Sequence, residues 1–149
     1  MATQEEMAPI DALPKSEVGE MRIEQTAEEV RQAAYWFFGI AALSMINSFL
    51  VSKGSYFILG LALSQVVDGI VIDLTGEQNL FFSFLPAFLF ILFGLFGAKR
   101  QAWAFVVGGL VYTLDGVIYL YFQEWIAGGI HVFILYKLLK GYRPLNEHQ

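Results

Sequence analysis

The feature that most constrains this chain is a series of five apolar segments joined by short polar connections. They cover about residues 33–51, 55–72, 80–98, 102–122 and 125–139. At a rise of about 1.5 Å per residue, each of the first four can span most of a hydrocarbon core about 30 Å thick. The fifth is shorter. It either spans with the help of the long side chains of Lys137 and Lys140, or is re-entrant or tilted at the membrane interface.

The composition agrees with these segments. Hydrophobic residues make up 56% of the chain and charged residues 15%, whereas soluble proteins carry about 25% charged residues. The 14 Phe, 7 Tyr and 3 Trp are accounted for by lipid contact and interfacial anchoring, without an aromatic binding site. The sequence therefore predicts an all-α integral membrane protein, a bundle of five transmembrane helices in contact with the lipid bilayer.

Several classes of function are excluded or disfavoured by what the sequence lacks. The 9 Lys and Arg residues are scattered at segment ends, so no basic stripe indicates a nucleic-acid partner. The absence of cysteine excludes disulfides, thiolate nucleophiles and iron–sulfur ligation. Only His131 lies in an apolar segment, because His148 belongs to the polar C-terminal tail, and a haem held by two membrane histidines is therefore excluded. We expect no cofactor and no resident metal.

The N-terminal residues 1–25 mix acidic, basic and small residues without a sustained apolar face. This pattern predicts a mobile acidic tail. It also lacks the basic start, short apolar core and cleavage site of a secretory signal. Thr26 and Glu29 have the spacing of a capping box, which predicts that a helix begins there and continues into the first apolar segment.

The transmembrane domain is predicted to cover residues 26–143. Gly141 followed by Pro144 predicts the end of the last helix, because glycine favours a helix C-terminus and proline does not continue a helix. Residues 144–149 are then a short C-terminal tail.

The orientation follows from the charges in the connections. Under strict alternation of five spans, most basic residues fall on one side and acidic residues on the other. Because cytoplasmic connections are enriched in Lys and Arg, we expect the C-terminus to be cytoplasmic and the N-terminus outside, in the plasma (inner) membrane. Arg22 and Arg31 argue weakly against this orientation. The basic residues concerned are Lys53, Lys99, Arg100, Lys140 and Arg143, and the acidic ones Asp73, Glu77 and Glu124.

An internal repeat is suggested by two similar stretches. Residues 65–71 read Gln-Val-Val-Asp-Gly-Ile-Val, and residues 112–118 read Tyr-Thr-Leu-Asp-Gly-Val-Ile. The segments that follow also match, which predicts one leading helix plus two repeated helical hairpins related by an axis along the membrane normal. Equivalent residues then lie at equal depth, so Asp68 and Asp115 are placed where they can face each other.

These two acids form the centre of a candidate intramembrane site for ions or protons. A charged residue near the centre of a membrane helix costs about 2.5 to 3.5 kcal/mol, so each acid requires compensating partners. Gln65 precedes Asp68 by three positions and Tyr112 precedes Asp115 by three, which places each pair on one helix face. His131 of the last segment lies in the same half of the membrane.

Two interpretations of this site remain open. In the first, the two acids form a proton relay or cation site, with a proton shared with His131 or Tyr112. In the second, each acid bonds a hydroxyl or backbone group across a helix interface, and the glycine that follows it allows close approach. The polar residues near the end of the first segment, Ser44, Asn47 and Ser48, are expected to serve helix packing.

An enzymatic role is not expected. The chain has no Gly-x-Ser-x-Gly elbow, and the acids do not lie in the Gly-x-Gly-Asp motif of intramembrane aspartyl proteases. We expect a non-enzymatic accessory component that self-associates or joins another membrane protein. The alternative is a small ion- or proton-coupled carrier or channel-like unit that uses Asp68 and Asp115.

Overall fold

The computed structural model describes residues 14–53, 61–77 and 79–146, and over these ranges the secondary structure is entirely helical. Five helices are present there: α1 (Lys15–Ser52), α2 (Ala62–Thr75), α3 (Leu80–Ala98), α4 (Ala102–Tyr121) and α5 (Trp125–Asn146). Of these, α1, α3 and α4 are long and apolar enough to cross a membrane. The prediction of an all-α bundle with apolar helices is confirmed at this level.

Helices α1 and α3 make the most extensive contact in the bundle and run antiparallel. Two glycines of α3 set their spacing. A Cβ atom on Gly94 would lie 2.9 Å from the ring of Phe38, and one on Gly97 would lie 3.2 Å from the Cβ of Ala34. The higher-numbered glycine thus faces the lower-numbered residue of α1, which shows that the two helices are antiparallel. The absence of side chains at both glycines allows the backbones to approach closely.

The core lies where α1, α3 and α4 meet. Phe37 is fully buried, and its ring centroid lies 6.1 Å from that of Phe90, 5.9 Å from Phe93 and 5.6 Å from Phe105. Aromatic pairs at these separations contribute about 0.5 to 1.5 kcal/mol beyond their burial. The cluster thus holds three helices from different parts of the chain together.

Helix α4 returns antiparallel to α3, and α5 returns antiparallel to α4 through the short connection 122–124. The end of α5 then meets the first half of α1. A Cβ on Gly141 would lie 2.1 Å from the Cβ of Ala33, and the Lys140 Nζ atom lies 3.6 Å from Glu29 Oε1. The first part of α1 and the end of α5 therefore share one end of the bundle.

Helix α2 differs most from the predicted second span, 55–72. It has 14 residues, about 21 Å in length, which is shorter than a hydrocarbon core of about 30 Å. Its first turn lies beside the interior of two long helices, because the Ser64 and Ser44 hydroxyl oxygens are 2.9 Å apart and the Leu63 amide donates to Asp115 Oδ1 at 2.7 Å. Residues 54–60 lie outside the described part of the chain.

This arrangement corrects the strict alternation assumed from the sequence. Ser64 lies beside Ser44 of α1, and one turn later Asp68 bonds Ser83 near the start of α3. Helix α2 is therefore antiparallel to α3 and runs in the same direction as α1 and α4. The four longer helices, α1, α3, α4 and α5, alternate in direction, and α2 occupies only one half of the bundle. Alternation of five spans placed the two ends of the chain on opposite sides, whereas the contact between Lys140 and Glu29 places the corresponding helix ends on the same side.

The first helix also begins earlier than predicted. It starts at Lys15, so Thr26 and Glu29 lie inside the helix, and the expected capping box does not mark its start. Part of the predicted tail 1–25 is therefore helical, and residues 1–13 lie outside the described ranges. The helical residues 15–25 include Glu, Met, Arg and Gln, whose helix propensity is high.

The last helix ends later than predicted. It continues past Gly141 and through Pro144 to Asn146. Proline removes one backbone hydrogen bond, and in the last turn this loss affects a helix end at which unpaired groups are expected in any case. Residues 147–149 lie outside the described part of the chain.

Candidate functional site

The most completely buried ionisable pair of the described residues joins α4 to α5. Asp115 is 1% exposed and His131 is 5% exposed, and the His131 Nε2 atom lies 2.9 Å from Asp115 Oδ2. Gly116 makes this approach possible, because a Cβ at that position would lie 3.1 Å from the Cβ of His131. The second Asp-Gly pair of the sequence thus allows two helices to approach closely.

The second ring nitrogen of His131 determines how many protons the pair carries. The Nδ1 atom lies 2.8 Å from the Ala127 carbonyl oxygen, and since a carbonyl oxygen only accepts, Nδ1 carries a hydrogen. The contact between Nε2 and the Asp115 carboxyl then requires one further proton, on either the imidazole or the carboxyl group. In both cases the Asp115–His131 pair is neutral overall and holds one shared proton.

The other carboxyl oxygen of Asp115 caps helix α2. Its Oδ1 atom accepts from the backbone N–H of Leu63 at 2.7 Å, whereas Leu61 at the N-cap position provides no capping side chain. The first N–H groups of a helix lack partners within the helix and carry partial positive charge. A single carboxyl group thus connects α2, α4 and α5.

Two tyrosines enclose the imidazole ring. The Tyr112 ring stacks on that of His131 with a centroid separation of 4.3 Å and an interplanar angle of 15°, and the Tyr119 ring lies 5.1 Å away at 50°. Aromatic rings packed at this separation contribute about 0.5 to 1.5 kcal/mol beyond their burial, so the stacking helps to hold the imidazole ring in place. Tyr112 was predicted for this site. Tyr119 was missed, although its position four residues after Asp115 places it on the same helix face.

The space beside the pair is small. A cavity of about 10 Å³ borders Tyr112, His131 and Ile134, which is close to the volume needed by one water molecule. At this volume the space has no room for an organic substrate.

A larger groove opens between α2 and α4. Its volume is about 420 Å³, and its lining includes Ala62, Gln65, Tyr119 and Glu124. Gln65 is exposed in this groove, and within the described ranges it makes no hydrogen bond to the Asp115–His131 pair. Tyr119 borders both the groove and the imidazole ring of His131, so it separates the buried pair from the open end of the bundle.

Asp68 has different partners. It is 8% exposed and accepts a hydrogen bond from the Ser83 hydroxyl of α3. Asp68 follows Leu63 by five residues, which corresponds to a rise of about 7.5 Å along α2. Gly69 has open space around it, unlike Gly116. The surroundings of the two Asp-Gly pairs therefore differ, and the internal repeat stays a prediction.

A second group of buried polar side chains lies on α1, α2 and α3. We call it the serine cluster, and each member is at most 8% exposed. Its α1 members were expected only to serve helix packing. The spacings of three or four residues along α1 and α2 nevertheless place the members of each helix on a single face. The serine cluster comprises Ser44, Asn47, Ser48, Ser64, Asp68 and Ser83.

Within the described ranges, no three His, Asp or Glu side chains converge in a way that could hold a metal ion. No family model matches the chain, and no curated protein or solved structure is significantly similar to it. The site must therefore be interpreted from its own geometry.

Proposed function

We propose that this protein is a small membrane proton carrier whose proton-binding site is the Asp115–His131 pair. The observation that supports this most directly is the buried pair with both imidazole nitrogens directed at acceptors. Ionisable residues buried within membrane bundles commonly mark proton pathways. Transporter sites are also commonly built at the ends of helices that do not span the whole membrane, and α2 begins at this carboxyl group.

Release of the proton would change how the helices are held together. A deprotonated Asp115 beside a neutral His131 loses the hydrogen bond between α4 and α5, because neither Nε2 nor the carboxylate then carries a hydrogen. The carboxylate would bind the N-terminus of α2 more strongly, since that end of a helix is partially positive. Asp115 would thus be bonded to α5 when the proton is bound, and would be held mainly by α2 after the proton is released.

The space around the pair supports a proton as the bound species. The cavity of about 10 Å³ beside His131 holds at most a water molecule, whereas hydrated ions and organic substrates need more room. The groove lined by Tyr119 and Glu124 provides the access route from one end of the bundle. Reorientation of Tyr119 would connect this groove with the imidazole ring.

The surface of the bundle supports insertion in a lipid bilayer. Large apolar side chains project outward from α4 and α5: Leu110 is 62% exposed, Leu114 66%, Val132 65% and Phe133 51%. Contiguous exposed apolar surfaces of this kind mark membrane or partner contacts. We propose four membrane crossings, by α1, α3, α4 and α5, with α2 entering one leaflet.

The charges then favour an orientation different from the one expected at first. Only Lys53 is basic at the end of the bundle that carries Asp73, Glu77 and Glu124. The opposite end carries the large excess of Lys and Arg and is placed in the cytoplasm by the positive-inside rule. Arg22 and Arg31 now agree with this rule. The basic, cytoplasmic end also includes Lys99, Arg100, Lys140 and Arg143. The opposite end includes Asp73, Glu77 and Glu124.

Reporter fusions test this orientation in the plasma (inner) membrane. A reporter that is active only in the cytoplasm is expected to be active when fused before Met1 and also when fused after Gln149. A matched fusion in the connection at Glu124 is expected to be inactive. Reporters at the two ends of the chain that lie on opposite sides of the membrane would contradict the four-crossing arrangement.

The proton-carrier proposal is tested with purified protein in lipid vesicles that contain a pH-sensitive dye. An imposed proton gradient is expected to drive a flux that Asp115→Asn reduces at least about tenfold. Asparagine still accepts from the Leu63 amide, so the cap on α2 is retained while the proton site is lost. The exposed acid Asp73 provides the control, and Asp73→Asn is expected to keep the wild-type flux. A wild-type protein without flux would overturn the proposal.

A structural role is the second candidate, favoured by the bonds that join Leu63 to Asp115 and Ser83 to Asp68. Polar contacts of this kind hold membrane helices together. Under this alternative the protein is a non-enzymatic accessory component that self-associates or joins another membrane protein. The vesicles would then show no flux, while substitution of Asp115 would still lower stability.

A further inference from the structure

Two buried oxygens of α1 lack hydrogen-bond partners among the described residues. They are Asn47 Oδ1 and Ser48 Oγ, and both side chains are 2% exposed. An unsatisfied buried polar group costs about 1 to 3 kcal/mol, so each calls for an explanation such as a bound ion or water molecule.

The helix register brings these oxygens to the level of a carboxylate. Ser44 contacts Ser64 at 2.9 Å, and α1 and α2 run in the same direction. Ser48 and Asp68 each follow this contact by four residues, about one helical turn, so they lie at the same level of the bundle. Asp68 in turn accepts from Ser83 of α3, so three helices contribute oxygen atoms to one layer.

Asn47 lies one position before Ser48 and three after Ser44, on the same face of α1. The serine cluster therefore combines an amide oxygen, several hydroxyl oxygens and a single carboxylate in a region away from solvent. Oxygen ligands without nitrogen or sulfur select hard cations. The serine cluster contributes a single carboxylate, which favours a monovalent over a divalent ion.

We propose that the serine cluster binds a sodium ion, with Asp68, Asn47 and Ser48 as its principal ligands. The ion coordinates both unpartnered oxygens of α1 together with the Asp68 carboxylate. It also fixes α2 against α1 and α3. This site consists of residues other than Asp115 and His131, so it does not rest on the proton-carrier proposal.

Sodium binding is tested on the full chain purified in detergent micelles, by measuring the midpoint of thermal unfolding. At equal ionic strength, sodium chloride is expected to raise the midpoint by about 3 °C or more relative to potassium chloride and choline chloride. Calorimetric titration with sodium chloride is expected to show saturable binding. Neither measurement needs proton flux, so this proposal and the proton-carrier proposal succeed or fail separately.

Three substitutions assign the site. Asn47→Ala and Ser48→Ala are each expected to abolish the sodium-specific shift, while Ser52→Ala, outside the serine cluster on the same helix, is expected to keep it. If Asn47→Ala does not fold, the sodium-specific shift of Ser48→Ala alone tests the assignment of the site. Equal midpoints in sodium, potassium and choline salts would overturn the proposal and assign the two oxygens to a bound water molecule. Full retention of the sodium shift in Ser48→Ala would also overturn it.

Discussion

Replacement of Gly141 by alanine is expected to lower the free energy of unfolding by about 3 kcal/mol, because the new methyl group has no space. Its Cβ would lie 2.1 Å from the Cβ of Ala33 and 3.5 Å from the Cα of Ala33. Neither atom belongs to a flexible side chain that can rotate away. The helices α1 and α5 would have to separate, which also weakens the contact between Lys140 and Glu29.

Gly129→Ala is the matched control for this substitution. Gly129 lies in the same helix with nothing within 4 Å of an added Cβ, so alanine there is expected to stabilise the protein by up to about 1 kcal/mol through its higher helix propensity. Denaturant unfolding of both variants in mixed micelles gives the comparison. Adding Ala33→Gly to Gly141→Ala is expected to restore most of the lost stability. Equal stability of the two single variants would contradict the packing of α1 against α5.

Removal of the Asp115 carboxyl group is expected to have a similarly large effect. Asp115→Leu leaves the His131 Nε2 atom and the Leu63 amide without their hydrogen-bond partner in a buried region. Breaking a buried pair by removing one partner typically costs about 3 to 5 kcal/mol. The same unfolding measurement is expected to show a loss in this range, whereas Asp73→Leu, at an exposed position of α2, is expected to change stability by less than about 0.5 kcal/mol.

A double-mutant cycle separates the pair from its surroundings. His131→Leu alone is expected to destabilise the protein, but Asp115→Leu combined with His131→Leu is expected to cost less than the sum of the two single changes. The reason is that the double variant leaves neither member of the Asp115–His131 pair buried and unpaired. Additive losses would show that Asp115 and His131 contribute independently.

The helix bounds were predictable where the sequence has local boundaries. The predicted segments 80–98 and 102–122 coincide within one residue with α3 and α4. The polar pair Lys99 and Arg100 interrupts the apolar sequence there, and the turn is completed by Arg100 in a left-handed conformation with φ of 60°. Such boundaries arise from a few adjacent residues, so a sequence reveals them.

The start of α2 had no comparable local signal. The predicted second segment, 55–72, is apolar almost throughout, and Leu61 is a poor residue for an N-cap position. The helix is capped instead by Asp115, which lies 52 residues away in sequence from Leu63. A boundary that depends on a distant carboxyl group is not encoded in the neighbouring residues. The assumed alternation of helices failed for the same reason.

The candidate site was predictable in part. Asp115, His131 and Tyr112 lie together as expected, because an acid and an imidazole in apolar segments need partners in the interior. Asp68 instead joins Ser83, and Gln65 lines the groove beside α2. The apparent repeat suggested two equivalent acids, but equivalent sequence positions do not ensure equivalent neighbours when the helices that carry them differ in length.

The cap on α2 also has a consequence for the order in which this protein is made. The Leu63 amide and the Asp115 carboxyl group are separated by 52 residues. At a synthesis rate of about 5 to 20 residues per second, about 3 to 10 s pass between the appearance of the two. During that interval the nascent α2 lacks its acceptor. The half-length helix is therefore expected to take its final position only after the two later helices have emerged from the ribosome.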